Sequence, residues 1–350
     1  MVEKKIKKVL EPFVGSVTPG LMVQAFYKGS KVIDLKVGET YPYYDLASLT
    51  KVLFTTTLFM NLYGKQPRIL EDKVLKYIPW FFHPSLAVRQ LLTHTSGLTW
   101  WKPLYKSLNM DLHREARWEA LKPLIAAEKL ELTQKAVYSD FNFLMLGYLL
   151  EAEYEKPLSE LWKMVQEEFG LTHTNFHIDN KPVFDTKKYA PTEQCPWRGV
   201  RLQGQVHDEN AFALGGVAPH AGLFGPIEEL SQWILKLREI YLGSDNKKSF
   251  FITSDTAQTF FQRAISPEVG DFALGFMMKS GQNSTAGNLM SRNTIGHTGF
   301  TGTSTWFDLQ NDLIVNVVSN RVYFGRDNVE QTRQMRIAIH DAIFREVVHG

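Results

Sequence analysis

A single cysteine, Cys195, stands among 350 residues. No internal disulfide can form, so a disulfide-stapled scaffold is excluded and the fold must rest on its own core. Long apolar runs are missing too. The longest candidates, VLFTTTLFM and FNFLMLGYLL, fall short of the roughly 20 residues a membrane-spanning helix needs. Net charge is small, +2. The basic run EKKIKK near the start reads as the solvated face of a short helix, not as a nucleic-acid patch. No apolar segment with a small-residue cleavage site follows those lysines, so no signal peptide is read. The expected location is cytoplasmic, or periplasmic if the chain is a processed mature form. Internal repeats and low-complexity segments are also absent.

What is present is an ordinary globular composition, 44% apolar and 22% charged, on a chain long enough for two lobes. GLMVQAFYKGSKVIDLKVGET predicts a β-hairpin turning at YKGSK. A helix is expected from Ser48, with Gly64 just past its end. From Glu71 to about Glu168 the pattern is mostly helical. VRQLLTHTSGL reads as a short helix ending in a glycine turn. SDFNFLMLGYLLEAEYEK reads as a strong helix with Ser139 or Asp140 as N-cap. Residues 179–226 are expected to form a long loop region. IEELSQWILKLREIYLG predicts an amphipathic helix and SDNKK a loop. NTIGHTGFTGTSTWFDLQNDLIVNVVSN predicts two strands joined at DLQND, with a closing helix from about Asn328. Strands at both ends of the chain, with helices between, imply an α+β fold. An α/β sandwich with an antiparallel sheet flanked by helices takes residues 1–70 and 227–350. An all-α lobe with cleft-lining loops takes residues 71–226, and a cleft lies between the two.

Ser48-Leu49-Thr50-Lys51 is ambiguous by itself. Residues three apart share a helix face, so Lys51 can reach back over Ser48. At a helix start the backbone N–H groups are unpaired, and a serine there can be a cap or an activated nucleophile. The spacing recurs at Ser244–Lys247, in a polar loop without an apolar helix behind it, and reads there as a solvated turn.

Two further segments change the weighting. YSD, Tyr138 to Asp140, sits at the start of a helix. HTG, His297 to Gly299, sits at a strand. In this order the three segments resemble the Ser-x-x-Lys, Tyr/Ser-x-Asn and Lys/His-Thr/Ser-Gly signatures of the serine β-lactamase and penicillin-binding-protein superfamily. The likeness is to its class C-type branch, which holds class C β-lactamases, D,D-peptidases, D-aminopeptidases and family VIII esterases. VRQLLTHTSGL and RGVRLQGQVHDENAFALGGVAPHAGLFG resemble stretches of that branch, and the resemblance runs from about residue 10 to 348.

The resemblance implies a β-lactamase/transpeptidase-like fold and a serine hydrolase that forms an acyl-enzyme on an ester, amide or β-lactam carbonyl. It implies Ser48 as nucleophile, Lys51 in its proton network, and Tyr138 as general base. The backbone N–H groups of Ser48 and Phe300 would form the oxyanion hole. Asp140, His297, Thr298 and Gly299 would face the substrate. It implies no metal and no cofactor, and a small-molecule or peptide substrate. Oligomeric state stays open. Two rival readings stand beside it: a D,D-carboxypeptidase or penicillin-binding protein, and a non-catalytic scaffold that kept the fold. Retention of all three motifs argues against the scaffold.

Two departures bear on the substrate. Asp140 stands where the family has Asn. A carboxylate there favours a protonated Lys51 and repels an anionic substrate. His297 stands where the family usually has Lys and is mostly neutral at pH 7 if unperturbed. Penicillins and D-Ala peptides carry a carboxylate, which here loses one cation and meets one anion. Arg292, five residues before His297, is the cation that can compensate.

Other clusters read as structural. HTSG at 94–97 lacks a Gly-x-Ser-x-Gly elbow and reads as a turn. His207, Asp208, Glu209 and Asn210 read as a hydrogen-bonded loop lining the cleft. A metal site is the weaker reading, because no second histidine group has matching spacing. His173 and His177 read as a surface loop. Cys195 lacks an adjacent histidine and a helix start, so it is not read as a nucleophile. Trp100, Trp101 and Trp197 either floor a cleft or pack.

Overall fold

The computed structural model describes residues 2–131, 133–244 and 251–350. Helix α1 (Val2–Leu10) buries Ile6 and Leu10 and leaves its lysines in water. Strands β1 (Gly20–Tyr27) and β2 (Ser30–Gly38) form the expected hairpin. Strand β3 (Tyr44–Asp45) leads to the Ser48 turn and on to α2 (Thr57–Lys65). The middle of the chain supplies α3 (Val88–Leu92), α4 (Arg114–Ala126), α5 (Asp140–Tyr154) and α6 (Leu158–Phe169). Next come β4 (Asn175–Phe176), α7 (Glu209–Ala213) and β5 (Leu223–Gly225). The last third holds α8 (Ile227–Tyr241), α9 (Ser254–Phe261) and β6 (Met277–Met278). It closes with β7 (Thr294–Thr298), β8 (Ser304–Asp308), β9 (Leu313–Ser319) and α10 (Val329–Val347).

Strands from both ends of the chain join in one antiparallel sheet of order β2-β1-β9-β8-β7-β6. Alternation along the strands feeds two apolar layers. Leu21, Val23 and Ala25 of β1 pack with α1 and α10, through Ile6, Ile339 and Ile343. Met22 and Phe26 point the other way, toward α8 and the helices of the middle segment. β2 is an edge strand whose outer face carries Lys31, Asp34 and Lys36, charges that discourage further strand pairing. A small sheet, β3-β5-β4, ties the Ser48 approach to the middle segment. No helix among the described residues is long and apolar enough to cross a membrane.

Three local expectations are corrected. The helix after Ser48 is not uniform. A π-helix spans Lys51–Thr56, and α2 runs on to Lys65, so Gly64 lies inside the helix and does not end it. The sequence TTT explains part of this. Thr55 donates to the Pro219 carbonyl and Thr57 to the Val52 carbonyl, so side chains take up the looser hydrogen bonding of the turn. The 293–320 stretch holds three strands where two were expected. The HTG segment ends its own strand, β7, because Gly299–Gly302 closes a tight turn before β8. Finally, the 179–226 region is not all loop, since it contains α7 and β5. The SDNKK segment lies outside the described residues apart from Ser244.

Candidate active site

Ser48 sits in a turn between β3 and the π-helix. Ala47, just before it, has φ of 48°, a left-handed conformation that a residue with a Cβ rarely adopts. The turn is over-determined by its neighbours. The buried Asp45 carboxylate accepts the Ala47 N–H at 2.8 Å and the His207 N–H at 2.7 Å. Thr301 and Thr303 donate to the carbonyls of Asp45 and Leu46. One short strap therefore ties together the Ser48 turn, the 207 loop and the turn after HTG. Strain of this kind persists where surrounding structure enforces it.

Lys51 is fully buried and faces Ser48. Its ammonium donates to the Ser48 Oγ at 3.0 Å and to the His220 carbonyl at 3.0 Å, and lies 2.7 Å from Asp140 Oδ1. Burial pulls its pKa down, but Asp140 and Tyr138 outweigh that and hold it above the ordinary lysine value. The Tyr138 hydroxyl hydrogen-bonds to both Ser48 and Lys51, and burial raises its pKa despite the ammonium beside it. Tyr138 is held from behind by His94. The His94 ring lies 4.8 Å from the tyrosine ring, and its Nδ1 accepts the Ser139 N–H and an Asn142 amide proton. The HTSG segment is thus a turn, as expected, and its histidine backs the YSD segment. Ser139 occupies the N-cap position of α5, yet its hydroxyl donates to the Thr99 carbonyl and accepts no helix N–H.

The third motif approaches from β7. His297 is buried, its Nδ1 bonded to the Thr298 carbonyl and its ring 5.8 Å from that of Tyr138. Burial, then the charge of Lys51, push its pKa down to about 3, so the imidazole is neutral. Gly299 is required by a close approach. A Cβ there would sit 2.7 Å from the Leu46 carbonyl and collide with Thr303 Oγ1. Next to it, the Phe300 N–H has no acceptor among the described residues, and neither has the Ser48 N–H. Two open N–H groups beside a serine hydroxyl can stabilise an oxyanion.

Ser48, Tyr138, Asp140 and Phe300 open into one cleft of about 500 Å³, a size suited to a small ligand. Trp100 and Trp101 form part of its rim; the His207–Glu209 loop and Arg326 line it as well. His297, Thr298 and Gly299 are not among its lining residues. His297 backs Tyr138, Gly299 lies against the Leu46 carbonyl of the Ser48 turn, and Thr298 between them is half-buried.

The profile of the Beta-lactamase family matches residues 7–339. The chain belongs to the β-lactamase family. A putative D-alanyl-D-alanine carboxypeptidase of Escherichia coli K12 is 31% identical over 330 residues, covering 84% of this chain and 73% of the relative. Among solved structures, EstCE1, a hydrolase with promiscuous acyltransferase activity, superposes with a TM-score of 0.74 at 19% identity, covering 98% of each chain. A penicillin-binding protein from Bacillus halodurans gives 0.70 at 15% identity, covering 97% of this chain and all of that one. The family assignment makes this chain a serine hydrolase with the expected β-lactamase/transpeptidase-like fold.

Within this β-lactamase-family cleft, His207, Asp208 and Glu209 line the wall as the sequence reading expected, while Arg326, its partner Glu193 and the buried His220 were missed. Arg292 is exposed at the far end of β7 and does not reach the cleft. The cation that does is Arg326, whose guanidinium clasps Glu193 through two bonds and also bonds Glu209. Asp208 accepts from the buried His220 at 3.1 Å and caps α7 through the Ala211 N–H. His177 is corrected from surface to core: it is buried, bonded to the Gly204 carbonyl and the Tyr189 hydroxyl. Trp197 packs on Tyr105 and Phe212, outside the cleft lining. Asp140, Asp208 and His220 bring ligand atoms within 4.8 Å of one another. The Lys51 ammonium already sits against Asp140, so a metal ion there would face a fixed positive charge.

Proposed function

We propose that this β-lactamase-family hydrolase is an esterase for uncharged, largely apolar acyl groups, with Ser48 as the acylated nucleophile. One observation carries the substrate reading: the cleft's cations are already paired with carboxylates. Lys51 is held by Asp140, and Arg326 by Glu193 and Glu209. His297 is neutral. A substrate carboxylate would find no unpaired cation among the described lining residues, and would meet Asp140, Asp208 and Glu209. Trp100, Trp101 and Phe300 offer apolar surface instead.

In this mechanism Ser48 Oγ attacks the ester carbonyl. The serine proton passes to Tyr138 as phenolate, whose charge the Lys51 ammonium balances. The Ser48 and Phe300 N–H groups receive the oxyanion. Collapse expels the alkoxide, which takes the proton back from Tyr138. Water then gives its proton to the same phenolate as its oxygen attacks the acyl carbon. The bond from that carbon to Ser48 Oγ breaks, Tyr138 returns the proton to Ser48, and the acid leaves with the tyrosine again as phenolate. Because burial holds the Tyr138 phenol high, phenolate is scarce at neutral pH, and kcat/KM should climb into the alkaline range.

The test is intact-protein mass spectrometry over time, with a short-chain p-nitrophenyl ester or benzylpenicillin, on wild type and Ser48→Ala. A transient acyl adduct from the ester, on wild type only, is expected, with none from benzylpenicillin. A persistent penicillin adduct would instead favour a D,D-carboxypeptidase, the reading that the name of the Escherichia coli relative supports.

A further inference from the structure

Behind the turn that follows HTG lies a buried cation with no carboxylate partner. Arg336 belongs to α10, on the opposite side of the sheet layer from the cleft mouth, and makes no ion pair among the described residues. Its Nη2 donates to the Gly299 carbonyl at 2.8 Å and to the Thr303 carbonyl at 3.0 Å. Burial, with the nearby Arg321 charge, pulls its pKa down to about 9, which leaves it charged at neutral pH. Its Nε has no hydrogen-bond partner among the described residues, so this buried charge is held only in part, by peptide carbonyls at Nη2, an expensive way to close a turn.

The Gly299 carbonyl and the Phe300 N–H belong to one peptide plane. In a trans peptide they point in opposite directions. A guanidinium that draws the carbonyl oxygen inward therefore aims the N–H outward, toward Ser48. It also polarises the peptide, strengthening the N–H as a donor. The following carbonyl, that of Phe300, is held by a second guanidinium: Arg321 Nε donates to it at 2.7 Å. The Gly302 N–H also reaches the Gly299 oxygen, at 3.1 Å, so the turn supplies one anchor of its own and Arg336 the charged one.

We infer that Arg336 is a positioning residue for the oxyanion hole: it orients and polarises the Gly299–Phe300 peptide so that the Phe300 N–H meets the oxyanion formed on the Ser48 ester. This rests on the acyl-enzyme reading above. It is tested with Arg336→Met and Arg336→Lys, using a p-nitrophenyl ester labelled with 13C at the carbonyl. Turnover and the infrared stretch of the acyl-enzyme carbonyl are both read.

For Arg336→Met, kcat should fall roughly ten- to a hundredfold, less than for deletion of a donor, with KM within about twofold. The acyl carbonyl band should move to higher frequency, as polarisation by the hole weakens. Arg336→Lys keeps the charge but loses the fork, and should lie between. If the Met variant does not fold, the Lys variant decides by its band. An unchanged carbonyl frequency in a folded variant that forms the adduct overturns the inference, whatever happens to stability. Absence of an adduct on wild type overturns the acyl-enzyme reading instead.

Discussion

Of two cavities beside this sheet among the described residues, the larger is not the one that Ser48 and Tyr138 line. The groove beside α8 holds about 850 Å³ and is lined in part by Gln24, Ser231 and Glu228. Its wall also carries charges such as Lys31, Glu167 and Lys236, and from its wall residues Gln24 and Ser231 a mostly buried polar relay runs inward to Thr305 and outward to the exposed Asp34. Thr305 donates to Asn316, Asn316 to Ser231, Ser231 to Gln24, and Gln24 to Asp34. That relay is almost entirely neutral, and every link has its partner. The Ser48 cleft is smaller, and its polar groups are arranged differently. A buried ammonium, a carboxylate and a phenol crowd one serine hydroxyl, and two N–H groups are left open beside it. A satisfied network rigidifies a core. A charged network with open donors stores the capacity to stabilise charge that has yet to form. Volume distinguishes the two cavities less well than unsatisfied polarity does.

This contrast can be broken at its sharpest point first. Ser48→Ala should reduce ester hydrolysis by about a thousandfold or more and abolish the mass adduct, with the thermal midpoint nearly unchanged. Asp140→Asn should act next most strongly, through pH. Asp140 raises the pKa of both Lys51 and Tyr138. Removing its charge lowers both, so the alkaline limb of kcat/KM moves to lower pH. A limb displaced by one pH unit changes the rate about tenfold at a fixed pH on that limb. A pH–rate profile that does not move would show that neither group sets the limb.

Glu209→Gln should have a smaller effect. It removes one of the carboxylates on Arg326, and relative kcat/KM for a carboxylate-bearing ester over its neutral analogue should rise roughly two- to fivefold. Asn316→Leu tests the other cavity. Thr305 and Ser231 lose their shared partner, so unfolding by denaturant should show a loss of about 1–3 kcal/mol, with kcat within about twofold. A large loss of rate there, without loss of stability, would erase the distinction between the two networks.

Much of the frame was readable in one dimension. The hairpin of β1 and β2, and helices α5, α8 and α10, follow from periodicity and turn residues, because each buries a face set by its own repeat. The three motif segments were readable as a set, and the Asp140 carboxylate lies beside Lys51 and pushes its pKa up, the direction the sequence reading expected. The π-helix was not, since TTT reads as part of any buried helix until its partners at Val52 and Pro219 are known. Arg292 was a cation the sequence could name by nearness but not place; strand β7 carries it away from His297, and Arg326 arrives from a loop near the C-terminus.

The sequence by itself pointed, through the resemblance of three ordered motifs, to the family and to Ser48, Lys51 and Tyr138 as one set, and its periodicity placed the β1–β2 hairpin and the longer helices. The first rests on the resemblance of motifs, the second on periodic burial. Only the tertiary structure decided which charges face the cleft, which are already neutralised, and how the Phe300 peptide is held. Asp45, His207, Arg326 and Arg336 act on groups that are distant in the chain. Electrostatic and hydrogen-bonding partners are set by distance in space, and no periodicity in the chain encodes that.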